Sequence, residues 1–412
     1  MHVGPTGDLL WCRWNYERQF GINIRDIDPI DYFHRHMQSV RDAMLNGSEL
    51  SGCRWCYQME QHGKVSGRQR QLLKTGIRTD QFLATVQSSP WRDTFVASAD
   101  NLTPQDWQID LGNVCNSACL MCRPEWSSRL SREWQQLGLI SQAPNTSWAA
   151  DPVLLAKFIA VLDRCDQLRY LHFLGGEPLL HSAFVTILKY LRSRSDRDQI
   201  CVGFTTNLTV WSDAVIEQLQ QFPQVNLGIS VEAFAPINDY VRWPSEYTKI
   251  QQVFDQWHRL AQQNQWLVTL RITPTCLTVA HMLSVYDKAW DLGLSVLTCN
   301  FLERPEYMRP TVLPHHVRCD IAENLQHWLD QHELTAPSVE TVPVVNTRHP
   351  QLAHQALRSD LASYVSYLRD SEDESWRLPD LVGYLKQMES VHQNSVLDYL
   401  PEYETIFRSA GY

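Results

Sequence analysis

The chain reads as an α/β protein: a partial (β/α)6 TIM-like barrel with an added N-terminal module and C-terminal helices. Three observations predict this. Between about Trp107 and Pro310, six short apolar runs alternate with helix-like segments, the pattern of βα units in a parallel sheet. Polar residues recur just after those runs, where the C-terminal ends of parallel strands gather at a barrel mouth. The units number six, short of the eight of a closed barrel, so the sheet is expected to stay open.

The first strand, Trp107–Leu111, alternates apolar and polar residues. The next five are Leu168–Leu174, Ile200–Thr205, Val225–Val231, Leu267–Thr273 and Leu294–Thr298, each bounded by polar or glycine-containing segments. Helices are expected at Ser127–Leu139, Phe184–Arg194, Asp213–Gln221, Thr248–Asn264 and Val279–Leu292. Four regions follow: 1–76, 77–106 as a linker packed on the barrel, 107–310 as the barrel, and 311–412 as mostly helix. The last holds helical spacing at Val317–His332, Leu352–Arg369 and Leu381–Gln393, with a Pro-, Val- and Thr-rich loop at Thr335–Pro350. The N-terminal region carries a helix over Asp31–Leu45 and a turn at Gly47–Gly52.

The 412 residues are 44% hydrophobic, enough for one large domain and smaller units. No apolar run reaches membrane-spanning length, and Met1–Leu10 lacks the basic-then-apolar order of a secretory signal. With eleven cysteines, this predicts a cytoplasmic protein whose thiols are free or metal-bound. A net charge of −10 argues against a large nucleic-acid footprint. Lys64, Arg68, Arg70, Lys74 and Arg78 form a local basic run, read as a solvated face or as a dock for an acidic leader peptide or an RNA backbone.

Chemistry concentrates after the first strand. Cys115, Cys119 and Cys122 follow a C-x3-C-x2-C spacing, which holds three corners of a [4Fe–4S] cluster and leaves one iron open to chelate a substrate or cofactor. A zinc knot is the alternative, but zinc takes four closed ligands, and no fourth Cys or His follows at close range. Gly175-Gly176-Glu177-Pro178 closes the second strand; its glycines allow close backbone approach, and its carbonyls and Glu177 can accept from an ammonium group. Asn207, Ser230 and Glu232 end the next two strands and face the expected mouth, or serve as local caps. Arg271, inside the fifth strand, needs an anion: a cofactor carboxylate or a neighbouring Glu. Cys276 and Cys299 follow strands five and six and are read as core thiols, or as ligands or hydrogen-atom donors.

Cys115-x3-Cys119-x2-Cys122, Gly-Gly-Glu-Pro, Thr-Asn and Ser-x-Glu together resemble the radical S-adenosylmethionine superfamily over roughly residues 105–310. The resemblance implies that the open iron binds S-adenosylmethionine, which is cleaved to a 5′-deoxyadenosyl radical that abstracts hydrogen. It implies that Gly175, Gly176 and Glu177 contact the methionine amino group, that Ser230 and Glu232 lie near ribose or methionine, and that Met121 packs near adenine, at a position often aromatic in the family. Met37–Arg70, with Cys53-Arg54-Trp55-Cys56, and Asp239–Ser245 resemble the twitch-domain group. Cys12, Cys53 and Cys56 would then hold an auxiliary iron–sulfur cluster. Here the segment precedes the barrel instead of following it, members carry more N-terminal cysteines, and the fourth ligand stays open among a distant cysteine, another side chain and the substrate. A structural zinc, or no metal, is the alternative.

The function that follows is hydrogen abstraction from a ribosomally made precursor peptide, with a leader-binding partner protein and a reductant such as flavodoxin or ferredoxin. Excision of a tyramine-like unit (a splicease) ranks first, ahead of crosslinking or epimerisation. An RNA-modifying radical enzyme and a non-catalytic iron–sulfur protein are the other readings.

Overall fold

The computed structural model describes residues 1–13, 15, 22–74, 102–146, 148–298, 301–334 and 350–412. Six strands occupy the predicted runs: β3 (Asp106–Asp110), β4 (Tyr170–Leu174), β5 (Cys201–Thr206), β6 (Val225–Ser230), β7 (Leu267–Ile272) and β8 (Ser295–Thr298). Each pairs in parallel with the next. Right-handed crossovers that always advance in one direction put the connecting helices on one face. Among the described residues β2 and β8 are the outer strands, an open order consistent with a partial barrel.

The N-terminus adds to this sheet. β1 (His2–Val3) pairs in parallel with β3, and β2 (Leu9–Leu10) pairs with β1 in antiparallel fashion. A two-residue strand carries no periodicity of its own, so the sequence pattern does not reveal it. Residues 1–10 therefore extend the barrel sheet.

Strand alternation explains the layers. Leu171 and Phe173 of β4 and Val202 and Phe204 of β5 are buried, on the helix side. Phe184 packs on Phe173 at 4.8 Å and on Phe204 at 5.7 Å, and Trp257 packs on Phe204 at 5.6 Å. The intervening residues, Tyr170 and His172, Gly203 and Thr205, Asn226 and Gly228, and Thr269 and Arg271, share the opposite face. That face is polar and partly hollow, which makes it a cavity wall rather than a packed core.

The connecting helices are Ser128–Gln136, Ser182–Ser193, Asp213–Leu219, Tyr247–Gln263 and Leu283–Leu292, as predicted to within a few residues, save that a 3-10 turn at Val279–His281 precedes the last. Helix Pro152–Asp163 was not predicted. Its sequence, Val-Leu-Leu-Ala-Lys-Phe-Ile-Ala-Val-Leu, has little polar contrast to mark a helical face. Its start is legible: the Asp151 carboxylate accepts from the Val153 and Leu154 amides, and Pro152 occupies the first turn.

The predicted helix Asp31–Leu45 is broken, with a π turn at Tyr32–His36 before helix Gln38–Leu45. Cys53 ends a 3-10 turn and Cys56 lies in the first turn of helix Arg54–Gln61. The C-terminal region forms helices His315–Gln331, Pro350–Asp370 and Leu378–His392. Most of the expected linker 77–106, and the loop at 335–349, lie outside the described residues. Among the described residues no helix is long and apolar enough to cross a membrane.

Candidate active site

The loop 112–127 leaves β3 and carries the three cysteines across the mouth of the barrel. It is fastened at three points. First, Gly176 (φ +59°) and Gly175 (φ +74°) adopt left-handed backbone. A Cβ at Gly176 would lie 2.3 Å from the Val114 carbonyl oxygen, and one at Gly175 would lie 2.6 Å from the Asp110 Cβ. Only glycine lets the β4 turn approach the cysteine loop this closely, and the Glu177 amide then donates to the Val114 carbonyl at 2.8 Å.

Second, Asn207 Nδ2 donates to Asn116 Oδ1 (3.0 Å) and Ser117 Oγ (3.1 Å) and lies 3.8 Å from Cys115 Sγ. Third, the Ala118 amide donates to the Trp243 carbonyl and the Leu120 amide to the Val241 carbonyl. Tyr384, on helix Leu378–His392, donates its hydroxyl to the Leu120 carbonyl at 3.0 Å. The C-terminal region thus buttresses the segment between Cys119 and Cys122. Tyr384→Phe leaves that carbonyl unsatisfied in a buried place and is expected to destabilise the chain by about 1–3 kcal/mol, read as a lower urea midpoint. An unchanged midpoint would remove Tyr384 from this role.

The cavity behind the loop is about 1360 Å³. Cys115, Cys119 and Cys122 line it, as do Met121, Gly175, Gly176, Asn207, Ser230, Glu232 and Arg271. So do Cys12, Cys53 and Cys56, which the N-terminal region brings to the same space. One predicted residue falls elsewhere. Cys276 is fully buried, with its Sγ 3.9 Å from the Tyr307 carbonyl oxygen, and is not on the wall. Cys299 lies outside the described residues.

Glu177 also turns away from the cavity. Its carboxylate accepts from the Asn207 amide (2.7 Å) and the Leu179 amide (3.2 Å). Burial pushes its carboxyl up to about 7 against those hydrogen bonds. What it does here is join the β4 turn to the end of β5.

Glu232 lines the wall but is engaged. It takes Arg242 Nη1 at 2.9 Å and the Thr273 amide at 2.7 Å. Burial raises its carboxyl, and Arg242 opposes that rise. Burial works against the Arg242 charge as well, yet Cys119 and Glu232 beside it hold the guanidinium above its ordinary range. Arg242 is the site residue that the sequence reading missed as a charge. It sits in Asp239–Ser245, whose family likeness was legible, but it caps the short helix Ile237–Val241, whose fold back onto Glu232 after β6 the sequence does not print.

Burial, then the neighbouring Cys119, pushes the Cys115 thiol up to about 12, and burial with Cys56 and Cys12 does the same for Cys53. Thiols so placed favour a cation that takes up the thiolate charge. Among the described residues no three His, Cys, Asp or Glu side chains converge on a single ion. A cubane cluster takes its thiolates one per iron and does not require that convergence. Three thiols on one short loop, a cation beside them and a glycine turn against them fit such a cluster.

Asp110, at the foot of the loop, is fully buried. It takes Arg13 at 3.0 Å, His2 at 3.0 Å and the Trp126 indole N–H at 3.1 Å. The expected basic run also changes character. Lys64 is buried and bonded to Thr298 and Asp360, and Arg68 makes a two-pronged pair with Glu60 at 2.6 and 3.1 Å. Arg78 lies outside the described residues, and so does the Lys74 side chain.

Residues 109–281 match the family described as the Radical SAM superfamily. That stretch, less than half of the chain, is similar to a radical S-adenosylmethionine domain, a likeness that implies S-adenosylmethionine and a [4Fe–4S] cluster. No curated protein matches the chain. Similar solved structures include Streptococcus suis SuiB bound to S-adenosylmethionine, at 13% identity over 69% of this chain and 60% of that one, with a TM-score of 0.35. They also include polyhistidine-tagged anSMEcpe with bound AdoMet, at 19% identity over 56% of this chain and 59% of that one, with a TM-score of 0.41. The chain spans about 60% of the length of these two relatives.

Proposed function

We propose that Cys115, Cys119 and Cys122 hold a [4Fe–4S] cluster whose open iron binds S-adenosylmethionine, and that the site modifies a peptide by hydrogen abstraction. The observation that carries this reading is the shared cavity: one space of about 1360 Å³ touches the cysteine loop, the β4 glycine turn and the hollow barrel interior. A pocket for a single drug-sized ligand is typically about 300–1,000 Å³, so this one has room for a cofactor and a sizeable substrate segment. The cluster and S-adenosylmethionine supply a 5′-deoxyadenosyl radical when bound. The protein's own residues position and shield: Gly175 and Gly176 bring backbone carbonyls to the cofactor, Met121 and Ser230 bound its place on the wall, and Arg242 offsets thiolate charge.

Cys12, Cys53 and Cys56 hold a second iron–sulfur cluster across the same cavity, with the fourth ligand unassigned. A peptide is favoured over RNA because two members of the basic run are spent internally, Lys64 on Asp360 and Arg68 on Glu60, on a chain of net charge −10. Among peptide reactions, excision of a tyramine-like unit stays first. Epimerisation would need a thiol donor on the cavity; of the two candidates, Cys276 is sealed from it and Cys299 lies outside the described residues.

The test is anaerobic reconstitution, reduction with S-adenosylmethionine, and measurement of 5′-deoxyadenosine, followed by mass analysis of a precursor peptide encoded beside the gene. Loss of a tyrosine-derived unit supports excision, loss of a hydrogen pair a crosslink, and unchanged mass with altered stereochemistry an epimer. Reduced protein that releases no 5′-deoxyadenosine would overturn the proposal.

A further inference from the structure

The barrel interior below the cysteine loop is a built polar surface. Tyr170 Oη lies 2.7 Å from His172 Nδ1, and His172 Nε2 lies 2.9 Å from Thr205 Oγ1. Asn226 Nδ2 donates to Tyr170 Oη at 3.3 Å. Two glycines make room for these side chains. A Cβ at Gly203 would meet His172 Nδ1 at 2.4 Å and Tyr170 Oη at 2.6 Å, and one at Gly228 would meet Arg271 Nε at 2.4 Å. Arg271 starts opposite Ser230 and runs back across Gly228, one interior layer further in; interior positions recur about 6.6 Å apart along a strand.

Arg271 differs from the other arginines on the cavity wall. Arg13 pairs with Asp110, Arg68 with Glu60, Arg123 with Glu125, Arg242 with Glu232 and Arg304 with Glu306, while Arg70 donates to the Val65 carbonyl. Among the described residues Arg271 makes no ion pair, and its buried Nε has no hydrogen-bond partner. The buried Asn226 Oδ1 is likewise unpartnered. Arg271 is half-buried on the cavity wall, and a donor as buried as its Nε is costly to leave without an acceptor unless a ligand supplies one. The charge nearest the cysteine loop is different: Arg242 bears on Cys115 and Cys119, while Arg271 bears on Tyr170 at the far end of β4.

We infer that Arg271, flanked by Tyr170 and Asn226, is a substrate carboxylate subsite, separate from the place of S-adenosylmethionine at the mouth. One guanidinium presents a planar donor pair, which matches a single carboxylate. Tyr170, on the cavity wall with Arg271, adds a hydroxyl that the groups beside the carboxylate can meet. In a peptide substrate the carboxylate is an Asp or Glu side chain or the chain terminus. The inference rests on the proposed peptide-modifying function and names what that substrate carries.

Three probes separate the sources: N-acetylglutamate amide for a side chain, N-acetylalanine for a terminus, and N-acetylglutamine amide as the neutral control. Binding is measured on the reconstituted full chain, with and without S-adenosylmethionine, for wild type, Arg271→Lys and Arg271→Met. One or both carboxylates are expected to bind, without competing with S-adenosylmethionine, and the neutral probe is not. Arg271→Met is expected to weaken the carboxylate about tenfold or more while weakening S-adenosylmethionine less than the carboxylate, and Arg271→Lys is expected to restore part of the loss. Competition with S-adenosylmethionine, an equal or larger loss of S-adenosylmethionine affinity in Arg271→Met, or equal binding of the neutral probe overturns the subsite. A wild type that binds a carboxylate through Arg271 but not S-adenosylmethionine overturns the proposed cofactor use and leaves the subsite standing.

Discussion

Gly176→Ala is expected to cost most of the cluster iron and to cut 5′-deoxyadenosine release by about a hundredfold. The new Cβ would sit 2.3 Å from the Val114 carbonyl oxygen and 2.9 Å from the Val114 carbonyl carbon and nitrogen. All three are backbone atoms, so no side-chain rotation relieves the clash. The φ of +59° adds its own cost for a residue with a Cβ. Relief must come from moving Val114, and Cys115 follows it directly in the chain. A displacement of about 1 Å in a catalytic constellation can cost a hundredfold in rate. Gly383→Ala is the control. Gly383 is exposed in helix Leu378–His392, and a Cβ there meets nothing within 4 Å, so alanine is expected to be neutral or to stabilise by about 0.5–1 kcal/mol. Iron per chain, 5′-deoxyadenosine yield and the urea midpoint are measured on all three proteins. If Gly176→Ala holds as much iron and releases as much nucleoside as wild type, the close approach is not what shapes the loop.

The strand ladder was legible because helix-covered strands read as apolar runs: β4 to β8 fall within the predicted segments to a residue or two. The interior face was legible only as residue types. Arg271 could be named, but that Gly203 and Gly228 open the space for the interior side chains depends on cross-strand register, which the chain does not print. Direction was hidden as well. Glu177 stands in the motif, yet its carboxylate points back at the β5 end. Charge in sequence misled most. Lys64 reads as one member of a basic run, and its partner Asp360 is 296 positions away. The cysteines of both sets were named at once, because thiol spacing within a loop or one helical turn is a local property. Their meeting on a single cavity is not local. It comes from Lys64, which ties the segment after Cys53 and Cys56 to Thr298 of β8, and from the N-terminal strands, which extend the sheet's other edge ahead of Cys12.

That edge carries the second large effect. Asp110→Asn is expected to destabilise the chain by about 3–5 kcal/mol, because it removes one member of a buried charged cluster and leaves the others facing a neutral amide. Arg13 and His2 come from the N-terminal segment, so the substitution also loosens the strand that closes the cavity beside the cysteine loop. Burial alone would raise the Asp110 carboxyl; Arg13 first, then His2 and the Trp126 N–H, overcome it and hold the group at about 2, against an ordinary 3.8. The sign follows from that depression. A carboxyl that is more acidic in the folded chain stabilises it in full above its unfolded value, and the contribution is lost as the pH falls through the folded one. The pH-dependent part is about 2 kcal/mol. The gap in urea midpoint between wild type and Asp110→Asn should therefore shrink as the pH falls from about 4 towards 2. A gap that stays constant through that acid window, or widens in it, would mean that Asp110 is not held as an anion by the N-terminal residues.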